Sequence, residues 1–221
     1  MPADTPLPAH TPAKPQPAGR FRLRTWANAV ALTRGLLAFA VVAMLYAGRE
    51  LYVAACAITL VAIWMDALDG WVARRLGEVS KFGAVLDILT DRIVEMTYWI
   101  AFAALGWIPV WMPLIVAARG FLVDGARSLA FEQGQTAFGD TTMMTSPLGR
   151  FIVASRASRN LYGFAKAAAF ALLILAYASQ IPPNARTYIR IAGEVSAYLA
   201  IILCVVRALP VLAEGAKLAE R

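Results

Sequence analysis

Asp66, Asp69, Asp87 and Asp91 fall in the stretch D-A-L-D-G-W-V-A-R-R-L-G-E-V-S-K-F-G-A-V-L-D-I-L-T-D, inside or beside two strongly apolar segments. A carboxylate inside a bilayer is costly and is a functional-site hypothesis by default. Four of them need compensating charge, and one or two divalent ions supply it most simply. The spacing favours convergence. Asp66 and Asp69 are i, i+3, and Asp87 and Asp91 are i, i+4, so each pair lies on one face of a helix. If the two segments form an antiparallel hairpin, Asp69 and Asp87 sit roughly 6–8 Å below the turn at about 1.5 Å per residue, with Asp66 and Asp91 about a turn deeper. Oxygen-only ligation suits Mg²⁺ or Mn²⁺, and two ions bridged by carboxylates would clamp a pyrophosphate. Gly70 and Gly83 let a ligand or a neighbouring backbone approach closely. Ala73 is small on the same side, and Arg74 is placed to pair with a phosphate. Two other readings stay open from spacing alone. One is a proton or ion path in a transporter; the other is structural pairing of the aspartates with Arg74, Arg75 and Arg92.

The elements that must position these groups are apolar. Of the 221 residues, 60% are hydrophobic and 16% charged, against roughly 25% charged in soluble domains. Mean hydropathy is +0.61. Six stretches reach the ~20 residues that cross a bilayer: 27–47, 51–73, 84–105, 107–130, 160–180 and 188–210. The expected architecture is all-α, a polytopic membrane protein with six transmembrane helices around a cytoplasm-facing polar cavity. Residues 20–215 form its membrane domain. Residues 1–19, rich in Pro and Ala, are expected to be a disordered tail. That tail lacks the apolar core of a signal peptide, so the first span is expected to persist. The segment 132–149 reads as a cytoplasmic loop.

The net charge of +7 is unevenly placed. Arg20, Arg22 and Arg24, then Arg74, Arg75 and Lys81, then Arg150, Arg156 and Arg159, and finally Lys217 and Arg221 fall on one side of the spans. Arg49, Arg186 and Arg190 fall on the other. The positive-inside rule places both termini in the cytoplasm, and the basic face would attract anionic membrane lipids. With no basic soluble domain, no nucleic-acid partner is expected. Cys56 and Cys204 read as small packing residues, and His10 lies in the tail.

These positions resemble a known family. D-G-x2-A-R-x8-G-x3-D-x3-D is the signature of the CDP-alcohol phosphatidyltransferases, and Asp69, Gly70, Ala73, Arg74, Gly83, Asp87 and Asp91 match every fixed position, with Asp66 at the upstream aspartate of the longer form. The resemblance implies six membrane helices with cytoplasmic termini. It implies transfer of a phosphatidyl group from CDP-diacylglycerol to an alcohol, with release of CMP. It makes Asp66, Asp69 and Asp87 metal ligands, Asp91 both ligand and catalytic base, and Gly70, Ala73, Arg74 and Gly83 the lining of the CDP site. Two Mg²⁺ or Mn²⁺ ions, a homodimer and a bacterial inner membrane also follow from it.

The chain is most similar to the phosphatidylglycerophosphate synthases of that family, which implies glycerol 3-phosphate as acceptor. Their A-R-E-I-x2-S-G-x-R stretch appears here as A-R-G-F-L-V-D-G-A-R. Arg119, Gly125 and Arg127 are retained, while Gly120 and Asp124 replace Glu and Ser. Their G-K-x-K-T stretch keeps Gly163 and Lys166 but has Phe164 for the first Lys, and Arg159 lies one turn earlier. Near the first span, Asn28 and Arg34 match N-x2-T-x2-R. Arg119, Arg127, Arg159 and Lys166, with Arg156 nearby, are thus candidates for the acceptor phosphate. Asp124 is expected to pair with Arg119 or Arg127. Inositol phosphate, another polyol phosphate or serine remain alternative acceptors, and Glu95 reads equally as packing or as support for Asp91.

Overall fold

The computed structural model describes residues 26–76, 81–132, 144 and 146–219; the side chains of 66–76 are outside that description. Every regular element among these residues is helical: α1 (Trp26–Ala47), α2 (Tyr52–Leu76), α3 (Lys81–Ala104), α4 (Trp111–Glu132), α5 (Pro147–Ala154), α6 (Arg156–Ala176) and α7 (Pro183–Ala219), with a 3₁₀ turn at Arg49–Leu51. Among the described residues three stretches are long and apolar enough to cross a membrane: Asn28–Ala47, Arg156–Ala176 and Pro183–Leu218. The chain is therefore a membrane protein. α3 carries Asp87, Asp91, Arg92 and Glu95, and α4 carries Arg119, Asp124 and Arg127; these charges keep both helices below the apolarity of a simple span.

Six helices close into a ring. α1 packs on α2 and α3, α3 on α4, α4 on α7, α7 on α6, and α6 back on α2. Where α2 begins and α3 and α6 end, aromatic rings fill the interior. Trp107 stacks on Tyr177 with centroids 4.5 Å apart and on Phe102 at 5.3 Å, and meets Tyr52 edge-on at 5.6 Å. Such pairs add about 0.5–1.5 kcal/mol each beyond the area they bury. The Tyr52 hydroxyl donates to the Leu45 carbonyl at 2.9 Å, so its polar atom is satisfied inside the apolar stack.

The turn after α3 follows from Gly106. Its φ of +73° is left-handed, and the amides of Gly106 and Trp107 donate to the carbonyls of Ala103 and Phe102 at 3.0 and 2.9 Å. This is a Schellman cap. With Pro109 next, the chain resumes helix only at Trp111, four residues later than the hydropathy profile predicts. α7 differs in the other direction. It continues through Pro210 to Ala219, some 55 Å at 1.5 Å per residue, and so outruns a ~30 Å hydrocarbon core. Its last turns pack with α4 and α5 in a second apolar cluster of Val123, Ala126, Ala130, Met144, Val153, Ala208, Val211 and Leu218.

Part of the expected 132–149 loop is helical, because α5 begins at Pro147. Ser146 caps it, accepting from the Gly149 amide at 3.0 Å, and Pro147 occupies the first turn, where its missing N–H costs nothing. Ser155 ends α5 and caps α6, accepting from the Ser158 amide at 3.1 Å. Arg207 of α7 then donates to the Ile152 and Val153 carbonyls at 3.0 and 3.2 Å, placing a cation at the negative end of α5. Cys56 and Cys204 are both buried free thiols, as expected. Residues 1–19 lie outside the described residues.

Close helix contacts rest on small residues, as in other membrane bundles. A Cβ on Gly215 would lie 2.7 Å from Cβ of Ala126, whereas one on Gly125 would meet nothing within 4 Å. Gly215→Val is expected to destabilise the fold by about 1–3 kcal/mol through overpacking. Gly125→Ala should stabilise it by about 0.5–1 kcal/mol through helix propensity. Thermal unfolding in detergent checks both.

Candidate active site

The helix ring encloses a cavity of about 190 Å³ lined by Arg34 of α1, Ala62 and Ile63 of α2, Asp91, Val94, Glu95 and Tyr98 of α3, and Gly163, Lys166, Ala167 and Phe170 of α6. Tyr98 and Phe170 form its floor, stacked 4.8 Å apart at 21°. The Tyr98 hydroxyl lies 3.0 Å from that of Thr59, which donates to the Ala55 carbonyl at 2.8 Å. The floor is therefore buried and held in place, and the charged groups stand above it.

α3 presents carboxylates at successive turns. Asp87 and Asp91 share one face, with side chains 46% and 52% exposed. Between them reaches the Arg34 guanidinium, itself only 2% exposed. Its Nη2 donates to Asp87 Oδ1 at 3.2 Å and also to Asp91 Oδ1. Sequence spacing offered Arg74, Arg75 and Arg92 as partners for the aspartates. A cation outside that set, Arg34 of α1, pairs with Asp87 and Asp91 from more than fifty residues away; the side chains of Arg74 and Arg75 lie outside the described residues.

One turn beyond Asp91, Glu95 is 6% exposed. Its Oε1 accepts from the Tyr162 hydroxyl at 2.6 Å and lies 3.2 Å from Nζ of Lys166. Its Oε2 lies 3.9 Å from Nη1 of Arg92. Three cations surround the Tyr162 ring: Lys166 at 4.7 Å, Arg119 at 5.8 Å and Arg207 at 6.0 Å from its centroid. Arg92 bridges α3 to α4 through Asp124 at 3.1 Å. Asp124, expected to pair with Arg119 or Arg127, interacts electrostatically with Arg127, and Arg92 of α3 is a further partner. Arg92 passes over Gly120 on the way, where a Cβ would stand in ordinary contact, 3.6 Å from Arg92 Nη1.

The candidate residues divide accordingly. Asp91 and Lys166 line one cavity, with Asp87 beside it. Arg119 packs behind Lys166 on Tyr162, its Nε buried with no hydrogen-bond partner. Arg127 of α4 lies close enough to Asp124 and Arg119 for electrostatic coupling but not on the cavity wall. Arg159 is exposed near the start of α6, also off that wall. Gly83 is the third residue of α3, in its first turn. The side chains of Asp66, Asp69, Ala73 and Arg74, and Gly70 beside them, lie outside the described residues. Sequence reasoning missed Tyr162, Arg207 and the weight of Glu95. The i, i+4 relation of Tyr162 to Lys166, and of Asp91 to Glu95, was the available signal.

A family model described as CDP-alcohol phosphatidyltransferase matches residues 24–206. The chain belongs to the CDP-alcohol phosphatidyltransferase family. Family relatives include a CDP-diacylglycerol–glycerol-3-phosphate 3-phosphatidyltransferase of Bacillus subtilis, 30% identical over 84 residues, covering 38% of this chain and 44% of the relative. The Treponema pallidum protein of the same name is 33% identical over 87 residues, 39% of this chain and 40% of the relative. A CDP-diacylglycerol–inositol 3-phosphatidyltransferase of Arabidopsis thaliana is 41% identical over 66 residues, 30% of this chain and 28% of the relative. The chain thus spans less than half the length of each of these three relatives.

CDP-alcohol phosphatidyltransferases are in general divalent-metal dependent. The donor chemistry here fits such an ion: two half-exposed carboxylates on one helix face already draw a cation from α1, and hard divalent ions take carboxylate oxygens. Among the described residues no group of three candidate ligands comes together, with Asp66 and Asp69 outside them.

Arg34→Gln removes a full positive charge from the Asp87–Asp91 pair. Breaking a buried pair costs about 3–5 kcal/mol. Because both carboxylates are half exposed, solvent screening reduces the expected loss to about 1–3 kcal/mol. Mn²⁺ should then raise the melting temperature of the variant more than that of the parent, because the ion replaces the lost charge. Equal Mn²⁺ shifts in thermal unfolding would show that Arg34 and the ion do not share these carboxylates.

Proposed function

We propose that the chain transfers a phosphatidyl group from CDP-diacylglycerol to an alcohol that already carries a phosphate, glycerol 3-phosphate being the first candidate, and releases CMP. The supporting observation is the polarity of the cavity. Carboxylates Asp87 and Asp91 stand at one side. At the other, Lys166 lines the wall, and among the described residues it, Arg92, Arg119 and Arg207 are grouped with two carboxylates, Glu95 and Asp124. Cations inside a membrane bundle are costly unless paired, so the surplus favours an anionic ligand. Serine would leave that surplus unpaired. The glycerol-3-phosphate and inositol enzymes among the relatives fit a polyol acceptor.

In this reading α1, α2, α3, α4, α6 and α7 are the six spans, both termini are cytoplasmic, and the cavity opens to the cytoplasm of a bacterial cell at the end away from the aromatic stack. Asp66, Asp69, Asp87 and Asp91 would hold two Mg²⁺ or Mn²⁺ ions, and Gly70, Ala73, Arg74 and Gly83 would line the CDP site. When bound, the ions neutralise the pyrophosphate and polarise its P–O bonds. Arg34 fixes the rotamers of Asp87 and Asp91. Lys166 and Arg119 hold the acceptor phosphate, so the free hydroxyl faces Asp91. The Asp91 carboxylate takes the hydroxyl proton as the oxygen attacks the lipid-side phosphorus. A new P–O bond forms, and the bond from that phosphorus to the bridging oxygen breaks. CMP leaves with that oxygen and its electron pair. Positioning and charge neutralisation carry most of the acceleration in such transfers.

Purified protein with CDP-diacylglycerol and Mg²⁺ or Mn²⁺ is expected to release CMP when given glycerol 3-phosphate. Asp91→Asn should lower the rate by about 10²–10⁴-fold, the usual contribution of a general base. Inositol phosphate and serine run as separate arms. Release only with serine would overturn the phosphorylated-acceptor reading, and release with none would overturn the phosphatidyl transfer.

A further inference from the structure

Tyr162 has no place in the motifs and does not line the cavity, yet it organises the cations that face it. Its ring lies within cation–π range of Lys166, Arg119 and Arg207, at 4.7, 5.8 and 6.0 Å. These side chains come from three helices, α6, α4 and α7, and Lys166 and Arg119 also lie within electrostatic reach of Glu95. The other anchors are uneven. Lys166 is paired with Glu95 at 3.2 Å. Arg207 is tied to α5 carbonyls and to Ser158 Oγ at 2.6 Å. Arg119 keeps a buried Nε with no hydrogen-bond partner. The ring itself is held in place by its hydroxyl, which donates to Glu95 at 2.6 Å.

A neutral aromatic face is a fitting support for this task. It attracts cations electrostatically but takes up none of their hydrogen-bond donors in a fixed pairing. A carboxylate in the same place would bind the donors and compete with an incoming phosphate. Guanidinium and ammonium groups resting on a ring keep their N–H groups available for bidentate contact with an anion.

We infer that Tyr162 is a positioning residue for the acceptor-phosphate site: its ring is the platform that gathers Lys166, which lines the cavity with Asp91, and Arg119 behind it, without itself consuming their hydrogen-bond donors. This rests on the phosphatidyl-transfer reading above and adds to it the origin of affinity for a phosphorylated acceptor. Tyr162 touches neither substrate nor reacting atoms. Its loss therefore acts on acceptor binding without altering charge.

Steady-state kinetics of Tyr162→Leu and Tyr162→Phe test it. Tyr162→Leu removes the ring face and should raise the KM for glycerol 3-phosphate about ten-fold or more, with kcat and the KM for CDP-diacylglycerol within about three-fold of the parent. Tyr162→Phe keeps the face and should restore the acceptor KM to within about three-fold. An unchanged acceptor KM in Tyr162→Leu, an equal rise for both substrates, or failure of Tyr162→Phe to rescue would overturn the inference. If Tyr162→Leu does not fold, Tyr162→Phe carrying added ring fluorines keeps the shape and weakens the face stepwise. The acceptor KM should then climb with each fluorine, and a flat series would overturn the inference. If the parent protein releases no CMP with any acceptor, the phosphatidyl-transfer reading fails on its own. The platform is then read from inorganic phosphate, which should raise the melting temperature of the parent and of Tyr162→Phe but not of Tyr162→Leu. Equal shifts in all three, or in none, would overturn it.

Discussion

A charge placed among apolar helices must meet an opposite charge or a polar cavity, and the arrangement of this bundle follows from how α3 satisfies that requirement. α3 carries Asp87, Asp91, Arg92 and Glu95 within nine positions. Each is answered by a different neighbour: the two aspartates by Arg34 of α1, Arg92 by Asp124 of α4, and Glu95 by Lys166 and Tyr162 of α6. The electrostatic partners of α3 are thus the helices on either side of it in the ring and the one across from it. The same contacts that make its charges tolerable in a membrane also fix where the cavity lies.

The remainder of the fold isolates this polar centre. Below it, Tyr98, Phe170, Phe102 and Trp107 form a continuous aromatic interior in which the hydroxyls of Tyr98 and Tyr52 are each partnered. On the far side, α5 and the long end of α7 are tied together by Arg207. That one side chain caps α5 and also rests against Tyr162. Small residues at the helix crossings, such as Gly215 against Ala126, let α4 and α7 approach closely.

The helices were legible in the sequence because apolar runs of about 20 residues have few other uses. Their ends were less so. The hydropathy profile carried the fourth helix back to 107, where Gly106 and Pro109 impose a cap and a turn; it stopped the last helix at Pro210, where packing against α4 and α5 outweighs the missing N–H. The eight residues of α5 were hidden in a polar stretch, although Ser146, Pro147 and Ser155 are its caps. At the site, local relations such as Asp87 with Asp91 were readable, since they need only helical spacing. The pairing of Arg34 with both aspartates, and of Glu95 with Lys166 and Tyr162, joins residues 53 to 71 positions apart and depends on helix order around the ring, which hydropathy does not encode. The reading of Asp124 was incomplete for the same reason: it considered partners on α4 itself, and Arg92, on α3, is also one.

The central claim is that one cavity holds metal-binding carboxylates at one side and an acceptor-phosphate site at the other. Anomalous diffraction from crystals grown with Mn²⁺ and glycerol 3-phosphate tests this directly. The account predicts manganese peaks in contact with Asp87 and Asp91, and phosphate density against Lys166 and Arg119. Manganese away from those carboxylates, or phosphate bound where none of these cations reaches, would contradict it.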